Sequence, residues 1–183
     1  MRFPLYTDLA GRAERKAIEP TLANARNPAY NRQQARMWSQ VFLGCFLILV
    51  TTVLHGLATA GVLTLLKDAG RLMRFTKAIQ LQRTVLIAGL VVFMFLVSLV
   101  DAVLWAHTYL RVGAIEQLET ALYFSMVTFT TLGYGDITLS SEWRLLASFQ
   151  AANGIIIFGW TTALVAAVIQ RLAPGRPGRH PDN

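Results

Sequence analysis

Three stretches of the sequence carry no charged side chain over a length that can cross a bilayer. They comprise residues 41–66, 84–100 and 145–170, which are 26, 17 and 26 residues long. Because about 20 helical residues cross the hydrocarbon core, each stretch is predicted to form a spanning helix. Only 15% of the residues are charged, whereas a soluble domain has about 25%. We therefore predict an all-α membrane protein with three transmembrane helices.

The hydropathy pattern divides the chain into five segments. Residues 1–38 contain seven basic side chains and no apolar periodicity, which predicts disorder or a loose helix. Residues 39–66 are predicted to form an extra transmembrane helix, and residues 67–83 a basic cytoplasmic linker. Residues 84–172 contain the other two spans. The tail at residues 173–183 is rich in Pro and Gly and is predicted to be disordered.

The net charge of +7 would suggest a nucleic-acid partner in a soluble protein. Here the basic residues lie beside apolar runs, as in membrane flanks, so we expect contact with lipid and not with nucleic acid. Four linker residues at regular spacing predict contact with anionic lipids: Arg71, Arg74, Lys77 and Arg83. A voltage sensor uses similar spacing, but this linker has few apolar residues. The single cysteine, Cys45, provides neither a disulfide nor a cysteine metal site within one chain.

A short apolar helix is predicted between the second and third spans, over residues 118–130. The segment Thr-Thr-Leu-Gly-Tyr-Gly-Asp follows at residues 130–136. Irregular backbone at membrane depth is tolerated only where it is buried in protein or lines a water-filled cavity. A tight turn would also favour Gly and Asp, but a turn explains neither the preceding helix nor the position between two spans. We therefore predict a re-entrant loop.

This segment resembles the potassium-channel signature T-V-G-Y-G, with Leu132 in place of valine. The resemblance to the prokaryotic two-transmembrane potassium-channel pore covers about residues 84–172. It implies a re-entrant pore helix, a selectivity filter and a homotetrameric pore in the cell membrane, with potassium as the permeant ion and no cofactor. Residues 39–66 would then be one extra N-terminal helix.

The resemblance also implies roles for individual residues. Backbone carbonyls would bind K⁺ at Thr131, Leu132, Gly133 and Tyr134. Gly133 and Gly135 fit because the strand needs backbone angles that glycine adopts at little cost. Support for the filter is expected from Thr130, Tyr123 and Asp136. Asp136 would either accept a hydrogen bond from Tyr123 or form an anionic ring that concentrates cations.

Several residues outside the filter have two readings. Gly154 and Gly159 in the third span are candidates for a gating hinge, although Gly154 would equally permit close helix packing. His55 would either sense pH or act as a contact between helices. Asp101 follows an uncharged stretch of 17 residues, about 25 Å of helix, and is expected near the outer interface.

The predicted orientation conflicts with the charge distribution. With the filter facing outward, the linker is cytoplasmic, but the first span then needs its basic N-terminal side outside. Either residues 1–36 are an incorrect start or the first segment does not span, and we favour the first explanation.

The sequence contains no HExxH, P-loop or GxSxG element, so we expect no enzyme. Besides a selective channel, an auxiliary subunit that modulates other channels and a poorly selective cation channel remain alternatives.

Overall fold

The computed structural model describes residues 27–72 and 79–172. These residues form four α-helices and no β-strand, so the predicted all-α class is confirmed. In chain order they are α1 (Pro28–Leu72), α2 (Ile79–Arg111), α3 (Leu118–Phe129) and α4 (Arg144–Leu172).

Three of these helices are long and apolar enough to cross a membrane. The candidate spans are Pro28–Lys67, Gln80–Arg111 and Arg144–Leu172. Large apolar side chains such as Phe42, Phe46 and Phe95 are exposed on the outside of the bundle. In water such a surface would be unfavourable, whereas in a bilayer it faces lipid. The chain is therefore a multi-pass membrane protein.

The first helix begins earlier than the sequence analysis expects. For residues 28–38 the sequence predicts either disorder or a loose helix, and the structure has a helix, because α1 starts at Pro28. The side-chain oxygen of Asn27 accepts a hydrogen bond from the backbone N–H of Ala29 at 2.9 Å, and proline is favoured in the first helical turn. An Asn-Pro helix start was thus present in the sequence and outweighs the charge of the residues that follow.

The predicted linker at residues 67–83 is shorter in the structure. α1 continues to Leu72 and α2 begins at Ile79, so both helices extend past their uncharged parts. Arg74 and Lys77 lie outside the described residues, as do the side chain of Arg71 and the tail at residues 173–183.

α1 runs parallel to α4, and α2 runs antiparallel to both. Along α1, Gln40 accepts a hydrogen bond from the backbone of Leu146, at 3.3 Å. Thr59, further along α1, accepts one from Trp160, at 3.1 Å. The contacts follow the same order along the two helices, so their starts lie at the same end of the bundle. Arg36 and Glu142 form an ion pair at that end.

Two apolar clusters hold the four helices together. The first surrounds Trp105 and Tyr109 of α2 and includes Leu47, Phe124 and Leu146. The second lies near the other end of the bundle, and its buried members are Leu90, Met94, Leu164 and Val168. The short helix α3 packs against both α2 and α4 through the first cluster. This packing fixes the position from which the glycine-rich segment starts.

Candidate functional site

The short helix α3 is anchored on one face by buried groups. It starts after Gln117 and carries Glu119 in its first turn, where negative charge complements the helix dipole. The hydroxyl of Ser125 is fully buried and donates a 2.6 Å hydrogen bond to the carbonyl of Ala102 in α2. Nε2 of Gln150 in α4 donates to the same hydroxyl at 2.6 Å. α3 is therefore bonded to both long helices beside it.

The glycine-rich segment begins as the C-terminal cap of α3. The backbone N–H of Thr131 donates to the carbonyl of Thr128, and that of Leu132 to Val127, both at 3.0 Å. This pair of bonds is the Schellman arrangement that closes many helices. The N–H of Gly133 also donates to Val127, at 3.2 Å. The first amides of the segment are thus directed back to the helix.

Positive φ angles alternate along the segment. They are 60° at Thr131, 52° at Gly133 and 79° at Gly135. Glycine adopts these angles at little cost, which is the property that the sequence analysis required of Gly133 and Gly135. Threonine does not, so Thr131 must be held by its surroundings, and strained residues of this kind concentrate at functional sites. Nothing in the sequence indicated the angle at Thr131.

The carbonyl groups of the segment are left available. Within residues 27–72 and 79–172, no hydrogen bond is accepted by the backbone carbonyls of Thr131, Leu132, Gly133 and Tyr134. Backbone carbonyl oxygens at close spacing can replace the hydration shell of a cation. The four residues that the resemblance implied as ion ligands therefore have backbone carbonyl oxygens that accept no hydrogen bond within the described residues.

Two of the predicted support residues meet just after these carbonyls in the chain. The hydroxyl of Tyr123 donates to Oδ2 of Asp136 at 2.8 Å. Of the two roles expected for Asp136, accepting a hydrogen bond from Tyr123 is therefore present within one chain. The hydrogen bond to Asp136 raises the pKa of the Tyr123 phenol above its usual value. Thr130, the third support residue, donates its hydroxyl to the carbonyl of Met126 at 2.8 Å and so reinforces the cap.

Apolar side chains of the segment remain uncovered in a single chain. Leu132 is 55% exposed and Tyr134 67% exposed. Irregular backbone at membrane depth needs protein or water around it. One chain does not provide that enclosure.

Gly154 lies where α4 passes the end of α3. A Cβ at this position would be 1.8 Å from the carbonyl oxygen of Phe129, the residue just before the cap. Close packing inside the chain is therefore sufficient to require glycine here. A Cβ at Gly159 would meet nothing within 4 Å, and hinge roles for both glycines stay predictions.

His55 and Asp101 lie opposite each other between α1 and α2. Both are fully buried, and Nδ1 of His55 is 2.9 Å from Oδ2 of Asp101. This contact agrees with the reading of His55 as a contact between helices. α2 continues to Arg111, and α1 covers the carboxylate of Asp101. The expectation that Asp101 lies near the outer interface stays a prediction. Sequence reasoning did not pair these residues because the contact depends on how the two helices dock.

The fold and this loop define a class of protein. Two spanning helices enclose a short helix and a re-entrant segment with free carbonyl oxygens, which is the architecture of an ion-channel pore. The family described as "Ion channel" matches residues 81–171, about half of the chain. Through this segment the chain belongs to the ion-channel family, which places it among channels rather than enzymes. The predicted resemblance to the prokaryotic two-transmembrane pore is confirmed.

A curated relative also matches part of the chain. It is the calcium-gated potassium channel TvoK of Thermoplasma volcanium, with 33% identity over 70 residues. The match covers 38% of this chain and 20% of the relative, so the chain spans about one fifth of that protein's length. No solved structure matches the chain.

Proposed function

We propose that the chain forms a potassium-selective channel that conducts K⁺ passively through a homotetrameric pore. The observation that carries the proposal is that the carbonyls of residues 131–134 accept no hydrogen bond, in a segment where positive φ angles alternate along the chain. Such oxygen atoms compensate a potassium ion for the water that it loses on entering the filter. The name of the Thermoplasma relative agrees with this ion.

The proposed tetramer follows from the geometry of the filter segment. One strand presents oxygen atoms from one side only, whereas an ion must be surrounded. Cyclic assembly of identical chains closes such a ring, and the exposed Leu132 and Tyr134 would be covered in it. Four copies are implied by the resemblance to the potassium-channel pore.

The proposed orientation has the start of α1 outside, together with the outer end of the filter. Arg83 and the residues around Arg71, Arg74 and Lys77 would then lie at the cytoplasmic surface, close to anionic lipid. Ser39 is exposed and lies near the start of α1. In a Cys45→Ala background, a Ser39→Cys side chain should therefore react with an impermeant thiol reagent added to intact cells. Reaction only after permeabilisation would contradict this orientation.

The function is tested by reconstituting the purified protein into liposomes and measuring K⁺ and Na⁺ flux. Gly133→Ala is the informative variant, because a Cβ there meets nothing within 4 Å and its cost comes from the φ of 52° alone. Gly89→Ala is its matched control, since that glycine also has open space and lies in helix α2. We expect K⁺ flux in the native protein and in Gly89→Ala, and none in Gly133→Ala.

The same experiment separates the alternatives. Equal K⁺ and Na⁺ flux in the native protein would indicate a poorly selective cation channel. No flux from a correctly assembled protein would favour an auxiliary subunit.

A further inference from the structure

A layer of buried polar side chains crosses the helix bundle near the end of α3, and all four helices contribute to it. We call this group of side chains the polar layer. Each of its members is fully buried: Thr51, His55, Asp101, Ser125, Gln150 and Asn153. Polar groups that are shielded from water are costly unless they are paired, and lipid offers them no alternative partner. None of these side chains belongs to the row of carbonyls that would bind the ion.

The first connection in the polar layer joins α1 to α4. Nδ2 of Asn153 donates to the hydroxyl oxygen of Thr51 at 3.0 Å. Asn153 immediately precedes Gly154, where a Cβ would lie 1.8 Å from the carbonyl oxygen of Phe129. Helix α1 is therefore bonded to the residue next to the tightest contact between α4 and the base of the filter.

The second connection joins α1 to α3 through α2. His55 of α1 contacts Asp101 at 2.9 Å, and the next residue, Ala102, accepts the 2.6 Å hydrogen bond from Ser125 of α3. Separating the partners of a buried polar pair leaves groups without compensation in a region of low dielectric constant. A shift of α1 would thus disturb the contacts that lead from His55 through Asp101 and Ala102 to Ser125.

We propose that Thr51, His55 and Asp101 are positioning residues for the filter. Through them α1 holds α3 and the beginning of the filter segment in the geometry that directs carbonyls 131–134 to one axis. Helix α1 then stabilises the structure of the filter, in addition to anchoring the chain in the membrane. The inference rests on the proposed function for its prediction of K⁺ flux. Its prediction of hydrogen exchange does not depend on that function.

The chain contains a matched control for this inference. Thr59 and Trp160 also join α1 to α4, by a hydrogen bond of 3.1 Å from Nε1 of Trp160. This contact lies further from the filter along both helices. Thr59→Val removes a hydroxyl from the same interface as Thr51→Val, at a more exposed contact, and so controls for the loss of an α1–α4 hydrogen bond away from the filter.

The test uses the full chain in liposomes and measures hydrogen exchange at the amides of residues 130–133. In the native protein the amides of Thr130, Thr131, Leu132 and Gly133 donate to carbonyls of α3. We expect Thr51→Val to speed their exchange by about 5-fold or more, the low end of typical coupling between sites. Thr51→Ser retains the hydroxyl and should restore the native rate. Thr59→Val should leave the rate unchanged, and K⁺ flux should fall only in Thr51→Val.

The second connection is tested independently by Asp101→Asn, which removes the carboxylate and keeps the shape of the side chain. It also replaces Thr51→Val if that variant does not fold, and we expect a similar acceleration of exchange. Equal exchange rates in Thr59→Val and in the tested positioning variant would overturn the inference, whatever the flux. Faster exchange in the positioning variant, combined with no K⁺ flux in the native protein, would support the inference and contradict the proposed function.

Discussion

The close approach of α4 to the end of α3 makes Gly154→Ala a demanding test of the packing. The added Cβ would lie 1.8 Å from the carbonyl oxygen of Phe129, whereas carbon and oxygen atoms normally stay about 3.3 Å or more apart. One helix must therefore move by roughly 1.5 Å, and the obstructing atom is backbone, which cannot rotate away. Overpacking of this kind costs about 1–3 kcal/mol or more. This cost outweighs the stabilisation of about 1 kcal/mol that alanine normally provides over glycine inside a helix.

The expected result is a lower midpoint of thermal unfolding in detergent and reduced K⁺ flux in liposomes. The flux falls because Phe129 directly precedes Thr130, so its displacement disturbs the cap from which the filter starts. Gly89→Ala is the control, since its Cβ meets nothing within 4 Å and should leave stability equal or slightly higher. The reasoning would be refuted if Gly154→Ala matched Gly89→Ala in both measurements. A pure hinge effect would instead leave the unfolding midpoint unchanged and alter only the open probability.

Two further substitutions test other contacts of the site. Tyr123→Phe removes the hydrogen bond to Asp136 and should lower the ratio of K⁺ to Na⁺ flux, whereas an unchanged ratio would show that this bond does not support the filter. Since the bond raises the pKa of Tyr123, its contribution should persist from neutral pH to about 10, the usual tyrosine pKa, and be lost at higher pH. Arg36→Ala removes an ion pair with Glu142 whose side chains are 61% and 54% exposed. Such pairs contribute about 0–1 kcal/mol, so a shift of the unfolding midpoint by more than a few degrees would contradict this estimate.

Much of the fold was predictable because membrane spans and the filter motif are local signals. The three uncharged stretches gave the spanning helices, and the segment at residues 130–136 gave the loop with its two glycines in positive φ. The start of α1 at Pro28 is also indicated by Asn27 and Pro28, a cap residue followed by a proline in the first helical turn.

Most features that escaped prediction depend on how distant segments pack. The positive φ of Thr131 is the exception, because it belongs to the local cap of α3, where glycine is the usual residue. The pairing of His55 with Asp101 depends on the rotation of α1 against α2. The need for glycine at position 154 depends on the distance between α4 and Phe129. In these last two cases the deciding contact is made by residues far apart in sequence.

Potassium selectivity is tested most directly by the reversal potential of the native channel in a planar bilayer, with K⁺ on one side and Na⁺ at equal concentration on the other. A tenfold permeability ratio displaces this potential by about 59 mV for a monovalent ion. We predict a displacement larger than that, with the K⁺ side becoming negative. A reversal potential near 0 mV in a conducting protein would contradict the account.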